Sequence, residues 1–246
     1  MNRKGYTALV TGGARGIGAA IVKRLKEDGY DAVILVDLIK EVAEEAAREI
    51  DPEGKQVFAY ACNVGDEENV KAVFEQIAAE HGPISVLVNN AGITRDAMFH
   101  KMDRKMWDAV MNVNINGIYN TCQAVIPSMR AQKYGKIVNL ASVSAFGNVG
   151  QTNYGASKAA VIGFTKCLAR ESARNNITVN AIAPSYVNTE MLRAVPEETM
   201  QRFIEAIPAR RLAEPSEIAS VVSFLASDDS SFVNGECIVA SGGSYM

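Results

Sequence analysis

A tyrosine and a lysine that can act together stand four residues apart, at Tyr154 and Lys158. On a helix, residues i and i+4 share a face, so the Lys158 ammonium would lie near the Tyr154 phenol. A neighbouring positive charge favours the ionised phenol and lowers a pKa that is ordinarily about 10. We therefore expect Tyr154 to exchange protons near neutral pH, as a general acid or base does.

A glycine-rich turn at residues 11–18, with the sequence TGGARGIG, could bind a pyrophosphate. Gly12 would allow the tight turn, Gly16 would let the backbone approach the anion, and Gly18 would let the following helix lie close to the strand. Backbone N–H groups at the start of that helix would then meet the negative charge.

The surroundings of this turn decide how it is interpreted, because three glycines alone fit an ordinary strand-to-helix turn equally well. An apolar run precedes the turn, an amphipathic stretch follows it, and a second apolar run ends at Asp37. This strand, helix and strand predict a dinucleotide-binding unit. A phosphate-binding loop of the nucleoside triphosphatase type is rejected, because no Lys-Ser or Lys-Thr follows the glycines.

Asp37 lies nineteen residues beyond Gly18, where its carboxylate can accept hydrogen bonds from an adenosine ribose diol. This position favours NAD(H). The carboxylate would repel a ribose phosphate, but Arg15 in the turn could partly offset the repulsion, so NADP(H) stays open. An alternative is that Asp37 caps a helix beginning near Ile39, which would not prevent ribose binding.

The composition is that of a soluble globular enzyme. The 246 residues are 48% apolar and 22% charged, with a formal charge of -3, and we expect one domain over residues 1–246. The acidic balance argues against a nucleic-acid partner, and no apolar run is long enough to cross a membrane. The first strand begins too early to leave room for a signal peptide, so we expect a cytoplasmic location.

Histidine and cysteine are too sparse to predict a metal site. We expect the two histidines, His81 and His100, to be solvated. The cysteines have no metal-binding spacing and predict buried free thiols rather than a structural disulfide. They are Cys62, Cys122, Cys167 and Cys237.

Strand-like and helix-like segments alternate along the whole chain. The predicted strands are 7–10, 32–37, 57–61, 85–89, 136–142, 178–183 and 237–240. Their near-continuous apolar character predicts a doubly wound parallel sheet with helices on both faces. Ligands of such sheets bind beyond the carboxyl ends of the strands, which is where Gly12, Asp37, Asn63, Asn90, Ser142 and Pro184 fall.

From about residue 7 to residue 243, these motifs together resemble the short-chain dehydrogenase/reductase family. The turn at 11–18 is similar to the family's cofactor fingerprint, the sequence NNAG at 89–92 to its sheet-stabilising motif, and YGASK at 154–158 to its catalytic Tyr-x-x-x-Lys. Asn114, Ser142, Pro184 and Thr189 occur in matching order. The resemblance implies a Rossmann-type, NAD(P)(H)-dependent enzyme that interconverts a ketone and a secondary alcohol.

The resemblance also implies roles for four residues. Tyr154 would protonate the carbonyl oxygen during reduction, or take a proton from the alcohol during oxidation. Lys158 would favour the tyrosinate and hydrogen-bond the nicotinamide ribose. Ser142 would hold the substrate oxygen, and Asn114 would position a water that connects Lys158 to solvent. From the residues alone, Asn114 would more often be a helix cap or a polar residue at a kink.

Most of the cofactor-binding residues implied by the resemblance lie at or beyond the ends of the first, second, third, fourth and sixth predicted strands, and Tyr154 and Lys158 come from the Tyr-x-x-x-Lys motif. They are Gly12, Arg15, Gly16, Ile17, Gly18, Asp37, Asn63, Val64, Asn90, Ala91, Gly92, Tyr154, Lys158, Pro184, Val187 and Thr189, with Val187 using its backbone and Thr189 its hydroxyl.

Two positions depart from the family pattern. The nearest relatives usually have the catalytic serine thirteen residues before the tyrosine, where this chain has Ala141. Alignment of the strand instead puts Ser142 at that position, with Ser144 as an alternative; either could also be a loop serine bonded to local backbone. Relatives usually have glycine where Ser185 stands, so the turn there could differ.

The segments 92–96 and 147–154 are most similar to beta-ketoacyl-[acyl-carrier-protein] reductases and acetoacetyl-CoA reductases, which implies a beta-ketoacyl thioester substrate. Because those enzymes often use NADPH, Asp37 also keeps open an NAD-linked alcohol, polyol or hydroxysteroid dehydrogenase. A non-catalytic dinucleotide-binding protein would be expected to lack Tyr154 or Lys158. Five basic residues could face an acidic carrier protein or the phosphates of CoA, or could simply be solvated helix ends; they are Arg130, Lys133, Lys136, Arg170 and Arg174.

The resemblance further implies a homotetramer, with interfaces formed by the helices around 112–130 and 154–174 and by the C-terminal strand. A variable substrate lid is expected at about 190–212. Its apolar residues could face the substrate or pack on their own domain; they are Met191, Leu192, Val195, Met200, Phe203 and Ile207.

Overall fold

Seven short apolar runs form one parallel sheet. We describe a computed structural model of residues 5–193 and 196–245. Its strands are β1 (Thr7–Thr11), β2 (Ala32–Asp37), β3 (Val57–Ala61), β4 (Ile84–Asn89), β5 (Gly135–Leu140), β6 (Ile177–Pro184) and β7 (Cys237–Ala240). They are ordered β3-β2-β1-β4-β5-β6-β7, and every pair is parallel. The predicted doubly wound parallel sheet is confirmed.

Helices connect the strands and cover both faces of the sheet. They are α1 (Gly16–Glu27), α2 (Lys40–Ile50), α3 (Glu67–His81), α4 (Arg104–Met111), α5 (Gly117–Gln132), α6 (Thr152–Ser172), α7 (Glu190–Arg193), α8 (Glu197–Ala206) and α9 (Pro215–Leu225). A π-helical segment, Asn112–Asn116, joins α4 to α5. Short 3₁₀ turns lie at Phe99–Lys101, Val143–Phe146, Ala173–Asn175 and Asp228–Ser230.

The strands are apolar throughout because helices bury both faces. Alternate residues point to opposite sides: Val10 and Leu35 pack with α1, α2 and α9, whereas Leu9 and Ile34 belong to the core beneath α3, α5 and α6. A sheet covered on both sides needs apolar residues at consecutive positions. This requirement is why the strands could be recognised from the sequence.

A buried polar network fixes the spacing between β4, β5 and the helices above them. Asn89 Nδ2 donates to Asn139 Oδ1 at 2.9 Å, and Asn139 Nδ2 donates to Thr165 Oγ1 at 2.9 Å. Thr121 Oγ1 donates to Asn89 Oδ1 at 2.7 Å. All four side chains are buried, and satisfied buried networks of this kind hold elements in one relative position. The strand ends that carry Asn90 and Ser142 are thereby held side by side.

Strand β5 was predicted to run to Ser142, but it ends at Leu140. The Ala141 N–H still bonds Ile182 O at 2.7 Å. Ser142 then uses its side chain to accept a hydrogen bond from Ser144 N at 3.2 Å, at the start of the 3₁₀ turn Val143–Phe146. A serine that bonds local backbone in this way draws the chain out of the sheet.

The expectation that both histidines are solvated is wrong for His81. Its side chain is only 13% exposed, and its Nε2 lies 2.7 Å from the Tyr60 hydroxyl. Its ring packs against that of Phe58, with the two ring centroids 4.2 Å apart. Burial lowers the pKa of His81, although the charge of Glu80 opposes this shift. His100 is exposed, as expected.

Cys62 and Cys122 are buried, all four cysteines are free, and Cys167 is exposed. Within residues 5–193 and 196–245, no group of three or more His, Cys, Asp or Glu side chains is arranged to hold a metal ion. In the same part of the chain, no helix has the length and apolar character needed to span a membrane.

Candidate active site

A cleft of about 150 Å³ lies where the carboxyl ends of β4, β5 and β6 meet the start of α1 and α6. Among the residues that line it are Ile17, Asn90, Gly92, Ser142, Tyr154, Lys158 and Pro184. A larger cavity of about 350 Å³ lies between α1 and α9, and its walls include Arg24, Asp28 and Ser220. No candidate residue lines that second cavity, so the candidate residues point to the smaller cleft.

Helix α6 brings Tyr154 and Lys158 to the cleft on one face, as their spacing predicted. The Lys158 Nζ atom lies 5.6 Å from the centroid of the Tyr154 ring and donates a hydrogen bond to Leu140 O at 2.5 Å. The lysine is only 4% exposed, and this burial lowers its pKa to about 8. Lys158 is therefore an ammonium at neutral pH but loses its charge on modest alkalinisation.

The pKa of Tyr154 shifts in the opposite direction to the one expected. Burial raises it and outweighs the hydrogen bond with Ser142, which lowers it, while the Asp96 carboxylate raises it further. Residue spacing indicates the nearby charge of Lys158, but the desolvation of the phenol arises only when the chain folds around it. In this chain Tyr154 is held protonated at neutral pH.

Ser142, rather than Ser144, faces the tyrosine. Ser142 lines the cleft and hydrogen-bonds the Tyr154 phenol. Ser144 Oγ is 2.9 Å from Gln151 Oε1, to which it donates. Of the two alternatives left open by the sequence, the geometry favours Ser142 as the residue next to a substrate oxygen.

Asn114 lies in the π-helical segment between α4 and α5 and is fully buried. Its Oδ1 accepts from Ile93 N at 2.9 Å, and its Nδ2 donates to Ile93 O at 3.1 Å and to Ser157 Oγ at 3.0 Å. A Cβ atom at Gly92 would lie 3.3 Å from Asn114 Oδ1 and 3.4 Å from Lys158 Nζ. Gly92 therefore leaves space beside both polar groups, and the widened π turn places the amide there.

The glycine-rich turn is packed against the end of β4. Asn90 Nδ2 donates to Gly12 O at 2.8 Å and to Thr11 O at 3.0 Å. A Cβ atom at Gly12 would lie 2.9 Å from Ala91 Cα, and one at Gly18 would lie 2.1 Å from Gly12 O. The turn thus needs glycine for close approach, as the sequence predicted for Gly18.

The groups around this turn fit a dinucleotide. Helix α1 begins at Gly16, directly after the exposed Arg15, and free N–H groups at the start of a helix can bind a negatively charged group. Gly16 has φ 51°, and a Cβ there would be 3.3 Å from Thr189 Cγ2. Gly16 therefore lies close to Thr189, and the next residue, Ile17, lines the cleft.

Asp37 does not cap the helix that follows it. Its Oδ2 accepts from Ala14 N at 3.2 Å and its Oδ1 accepts from Leu38 N at 2.8 Å. The residue before α2 is Ile39, which makes no side-chain capping bond. The capping alternative is therefore wrong, and the carboxylate lies against the glycine-rich turn.

The remaining cofactor candidates differ in what they can offer. Asn63 is exposed, and its Oδ1 accepts from Gly65 N at 3.1 Å. The side chain of Val64 is buried, and its carbonyl accepts from Asn120 Nδ2 at 2.9 Å, so only its N–H is left for a ligand. Val187 is also buried and pairs with Ala213 through its backbone.

Ser185 replaces the usual glycine without strain. Pro184 ends β6, and the Ser185 N–H bonds Ala240 O at 3.0 Å. Among the described residues, the non-glycine positions with positive φ are Lys133, Asn176 and Arg210. The turn at Ser185 is therefore one that serine adopts normally.

The sequence did not reveal a hydrogen-bonded group of side chains beside the candidate catalytic residues. Gln151 Oε1 accepts from Ser144 Oγ and from Asn148 Nδ2 at 2.8 Å, which turns its amide NH₂ towards Asp96 Oδ2 at 2.9 Å. Asp96 is thus fixed in the loop beside Tyr154. The signal was available, because both residues lie in the segments that carried the subfamily resemblance.

The five basic residues do not lie at the cleft of their own chain. Lys136 is 2% exposed on β5, with Nζ 4.0 Å from Asp228 Oδ1, so it presents no charge to a partner. Arg130 and Lys133 lie at the end of α5, before β5, and Arg170 and Arg174 lie at the end of α6, before β6. These four are exposed at the amino ends of the strands, opposite the cleft.

In the lid region, α7 and α8 occupy Glu190–Arg193 and Glu197–Ala206. Ile207 is buried, and Phe203 stacks on Tyr186 with ring centroids 4.3 Å apart. Val195 and the side chain of Met191 lie outside the described residues.

Known proteins match this chain over almost its full length. Residues 12–245 match the protein-family model described as enoyl-(acyl carrier protein) reductase. Two similar curated proteins are both called 3-oxoacyl-[acyl-carrier-protein] reductase FabG. The one from Staphylococcus aureus is 43% identical over 98% of each chain, and the one from Thermotoga maritima is 45% identical over 99% of each chain. The acetoacetyl-CoA reductase of Shinella zoogloeoides is 47% identical over 97% of this chain and 98% of its own.

The Rossmann-type sheet, the glycine-rich turn and the Tyr154–Lys158 pair define an oxidoreductase that acts on a CH–OH or C=O group with a nicotinamide dinucleotide. The chain belongs to the short-chain dehydrogenase/reductase family.

Proposed function

We propose that this enzyme reduces a beta-ketoacyl thioester, carried by CoA or by acyl carrier protein, to the beta-hydroxyacyl form. The observation that carries the proposal is a phenol that hydrogen-bonds a serine hydroxyl in a cleft that Ile17, from the glycine-rich turn, also lines. The substrate class is supported by two of the relatives, which are a 3-oxoacyl-[acyl-carrier-protein] reductase and an acetoacetyl-CoA reductase.

The chain's own groups would handle the oxygen and the proton. Bound nicotinamide would supply the hydride to the ketone carbon. The Ser142 hydroxyl would hold the ketone oxygen, and the Tyr154 phenol would give its proton to that oxygen as negative charge develops there. The phenol carries its proton at neutral pH, so Tyr154 is available as the donor, and the nearby Lys158 ammonium would offset the weaker acidity that burial gives it.

Lys158 would restore the proton to Tyr154. With a pKa of about 8, its ammonium holds a proton at neutral pH yet releases it more readily than an exposed lysine does. Asn114 and Gly92 border the same space, where a water could connect the ammonium to solvent. Charge beside the phenolate would also favour the proton transfer.

We further propose that NAD(H) is preferred to NADP(H). The Asp37 carboxylate is fixed against the turn at Ala14, where a 2′-phosphate would meet a negative charge. Arg15 is exposed at the same turn and reduces the preference without reversing it. An NAD-linked dehydrogenase of another alcohol, polyol or hydroxysteroid is the second candidate, and Asp37 is the observation that favours it.

We propose that the enzyme works as a cytoplasmic homotetramer. Three apolar side chains near the start of α4 and on α5 are exposed, namely Met98 by 50%, Phe99 by 69% and Tyr119 by 47%. Met98 and Phe99 are consecutive, and exposed apolar groups side by side favour an interface. Light scattering coupled to gel filtration tests the assembly, and a mass of one chain, 26.5 kDa, would contradict it.

A substrate and cofactor panel tests the activity. Steady-state oxidation of NADH and of NADPH would be measured with acetoacetyl-CoA, beside the reverse reaction with a short secondary alcohol and a hydroxysteroid. We expect efficient thioester reduction with NADH. No activity with the thioester, together with turnover of an alcohol or steroid, would support the NAD-linked dehydrogenase and contradict the thioester reductase.

Ser142→Ala and Ser144→Ala form a matched pair within this panel. Removing a hydroxyl that holds a developing oxyanion costs about 10² to 10³ in kcat, so Ser142→Ala should lose that factor. The kcat of Ser144→Ala should stay within about threefold of the wild-type value, because this variant loses only the hydrogen bond to Gln151. Loss of that hydrogen bond should cost a few tenths to about 1.5 kcal/mol of stability. Equal losses would contradict the assignment.

A further inference from the structure

The loop after β4 is hydrogen-bonded to the segment that leads into α6. Ala97 N donates to Gly150 O at 2.9 Å, and Gln151 Nε2 donates to Asp96 Oδ2 at 2.9 Å. The loop carries Asp96, whose carboxylate raises the pKa of Tyr154. The bonds that fix this loop therefore bear on the candidate proton donor.

Asn153 is the buried connection between the loop and the helix. Its side chain is fully buried, and its Nδ2 donates to Arg95 O at 2.9 Å and to Met106 O at 3.3 Å. Arg95 precedes Asp96 in the loop, and Met106 lies in the first turn of α4. One amide thus joins the loop after β4, helix α4 and helix α6.

The same amide bonds the backbone of Tyr154. Helix α6 begins at Thr152, and N–H groups in the first turn of a helix have no partner within the helix. Asn153 Oδ1 accepts from Tyr154 N at 2.8 Å and so satisfies one of these groups. A single side chain therefore fixes both the backbone of the candidate proton donor and the loop beside it.

The bond from Gln151 to Asp96 constrains the loop less than Asn153 does. Asp96 is exposed, and water competes for an exposed hydrogen bond between two side chains. Asn153 bonds main-chain atoms in a buried space, where water does not replace a lost bond and each bond counts for more. Asn153 is thus the stronger of the two constraints on the loop.

We propose that Asn153 is a positioning residue, which ties the loop that carries Asp96 to the backbone of Tyr154 and so holds the phenol in its catalytic position. This inference rests on the proposed role of Tyr154 as proton donor. The Asp96 carboxylate acts on the phenol from the loop, and the Lys158 ammonium lies beside it on α6. Arg95 is next to Asp96, but its guanidinium donates to Thr94 O at 2.8 Å.

Asn153→Ala would free the loop and let water reach the phenol. Burial and the Asp96 carboxylate both raise the pKa of Tyr154, so the change should lower it. We expect the fall in reduction rate at alkaline pH to begin about 0.3–0.7 pH unit lower, the size of effect that one nearby charge has in water. The kcat should fall about tenfold to a hundredfold, because a displacement of about 1 Å at a reacting group has effects on that scale. The KM for NADH should stay within about threefold, since Asn153 makes no bond to the glycine-rich turn.

The experiment measures rate against pH, with acetoacetyl-CoA and NADH, for the wild type, Asn153→Ala, Asp96→Asn and the double variant. Because Asn153 acts through the loop that carries Asp96, the shift in the double variant should be smaller than the sum of the two single shifts. Asn180→Ala is the matched control. Asn180 is also fully buried, donates to Val233 O at 2.8 Å and accepts from Glu236 N at 3.0 Å, and none of these residues lines the cleft. The control should lose stability but keep the wild-type pH profile and kcat.

Two results would overturn the proposal. One is a wild-type pH profile in Asn153→Ala with a loss of stability alone, as in Asn180→Ala, which would leave Asn153 a purely structural role. The other is a double variant whose shift equals the sum of the single shifts, which would show that Asn153 does not act through Asp96. Asn153→Ser, whose hydroxyl is too short to replace the amide, gives the same test if Asn153→Ala fails to fold. The profile can be measured with whichever ketone the enzyme reduces, so a wild type inactive on acetoacetyl-CoA would contradict the proposed function and not this inference.

Discussion

Replacement of Gly18 by alanine tests how closely the glycine-rich turn is packed. The added Cβ would lie 2.1 Å from Gly12 O and 2.7 Å from Asn90 Nδ2, whereas a carbon and an oxygen in contact are about 3.3 Å apart. Gly12 O cannot move away freely, because Asn90 Nδ2 donates to it at 2.8 Å. The turn would have to shift by roughly 1 Å, the scale of overpacking that costs about 1–3 kcal/mol.

That cost has two measurable consequences. For a chain of this size, each kcal/mol lost from the free energy of unfolding lowers the melting temperature by about 2–4 °C. The melting temperature should therefore fall by roughly 2–12 °C. The affinity for NADH should fall at least about tenfold, which is ~1.4 kcal/mol, because in the proposed cofactor site the displaced turn would meet the pyrophosphate. Thermal melting and fluorescence titration with NADH measure these two effects.

Gly163→Ala is the matched control. Gly163 lies within α6, and a Cβ there would meet nothing within 4 Å of the described chain. The same chemical change should leave the dissociation constant for NADH at its wild-type value. If Gly18→Ala also bound NADH and melted like the wild type, the close packing that we derive for the turn would be refuted.

Three further predictions concern carboxylates. Asp37→Ala should reduce the preference for NADH over NADPH, measured as the ratio of kcat/KM values, since it removes the charge that repels a ribose phosphate; an unchanged ratio would remove Asp37 from the selectivity argument. Burial and the Asp96 carboxylate both raise the pKa of Tyr154. Asp96→Asn should therefore lower this pKa, so that in a plot of reduction rate against pH the fall at alkaline pH begins at a lower pH. An unchanged pH profile would show that the charge of Asp96 has no influence. Burial raises the pKa of the Asp51 carboxyl. Hydrogen bonds from the Lys26 side chain and from two backbone N–H groups outweigh burial and lower this pKa to about 2. The ionised form therefore stabilises the fold above about pH 4, and this contribution is lost as the pH falls towards 2; Asp51→Asn should remove that part of the pH dependence of unfolding, and an identical profile would contradict it.

The fold could be predicted because local pattern and long-range packing agree. Consecutive apolar residues such as Leu9 and Val10 are required by a sheet with helices on both faces, and both are fully buried on opposite sides. The end of β5 was missed because it depends on one side chain, Ser142, which bonds Ser144 N instead of continuing the ladder.

The positions of the candidate catalytic residues could also be predicted, but their electrostatics could not. Spacing alone placed Tyr154 and Lys158 together, since helical geometry is local. The pKa shift of Tyr154 went the other way because desolvation depends on residues distant in sequence. Lys136 and His81 were misjudged for the same reason: burial against Asp228 or Tyr60 is a property of the folded chain.

Whether Tyr154 is the proton donor is tested most directly by comparing Tyr154→Phe with the wild type in acetoacetyl-CoA reduction with NADH. The variant loses the hydroxyl but keeps the ring beside Lys158, and NADH binding measured by fluorescence confirms that the cofactor site is intact. General acid catalysis contributes about 10² to 10⁴ in rate, so kcat should fall by that factor while the NADH affinity stays within a few-fold. Full turnover by Tyr154→Phe would contradict the mechanism.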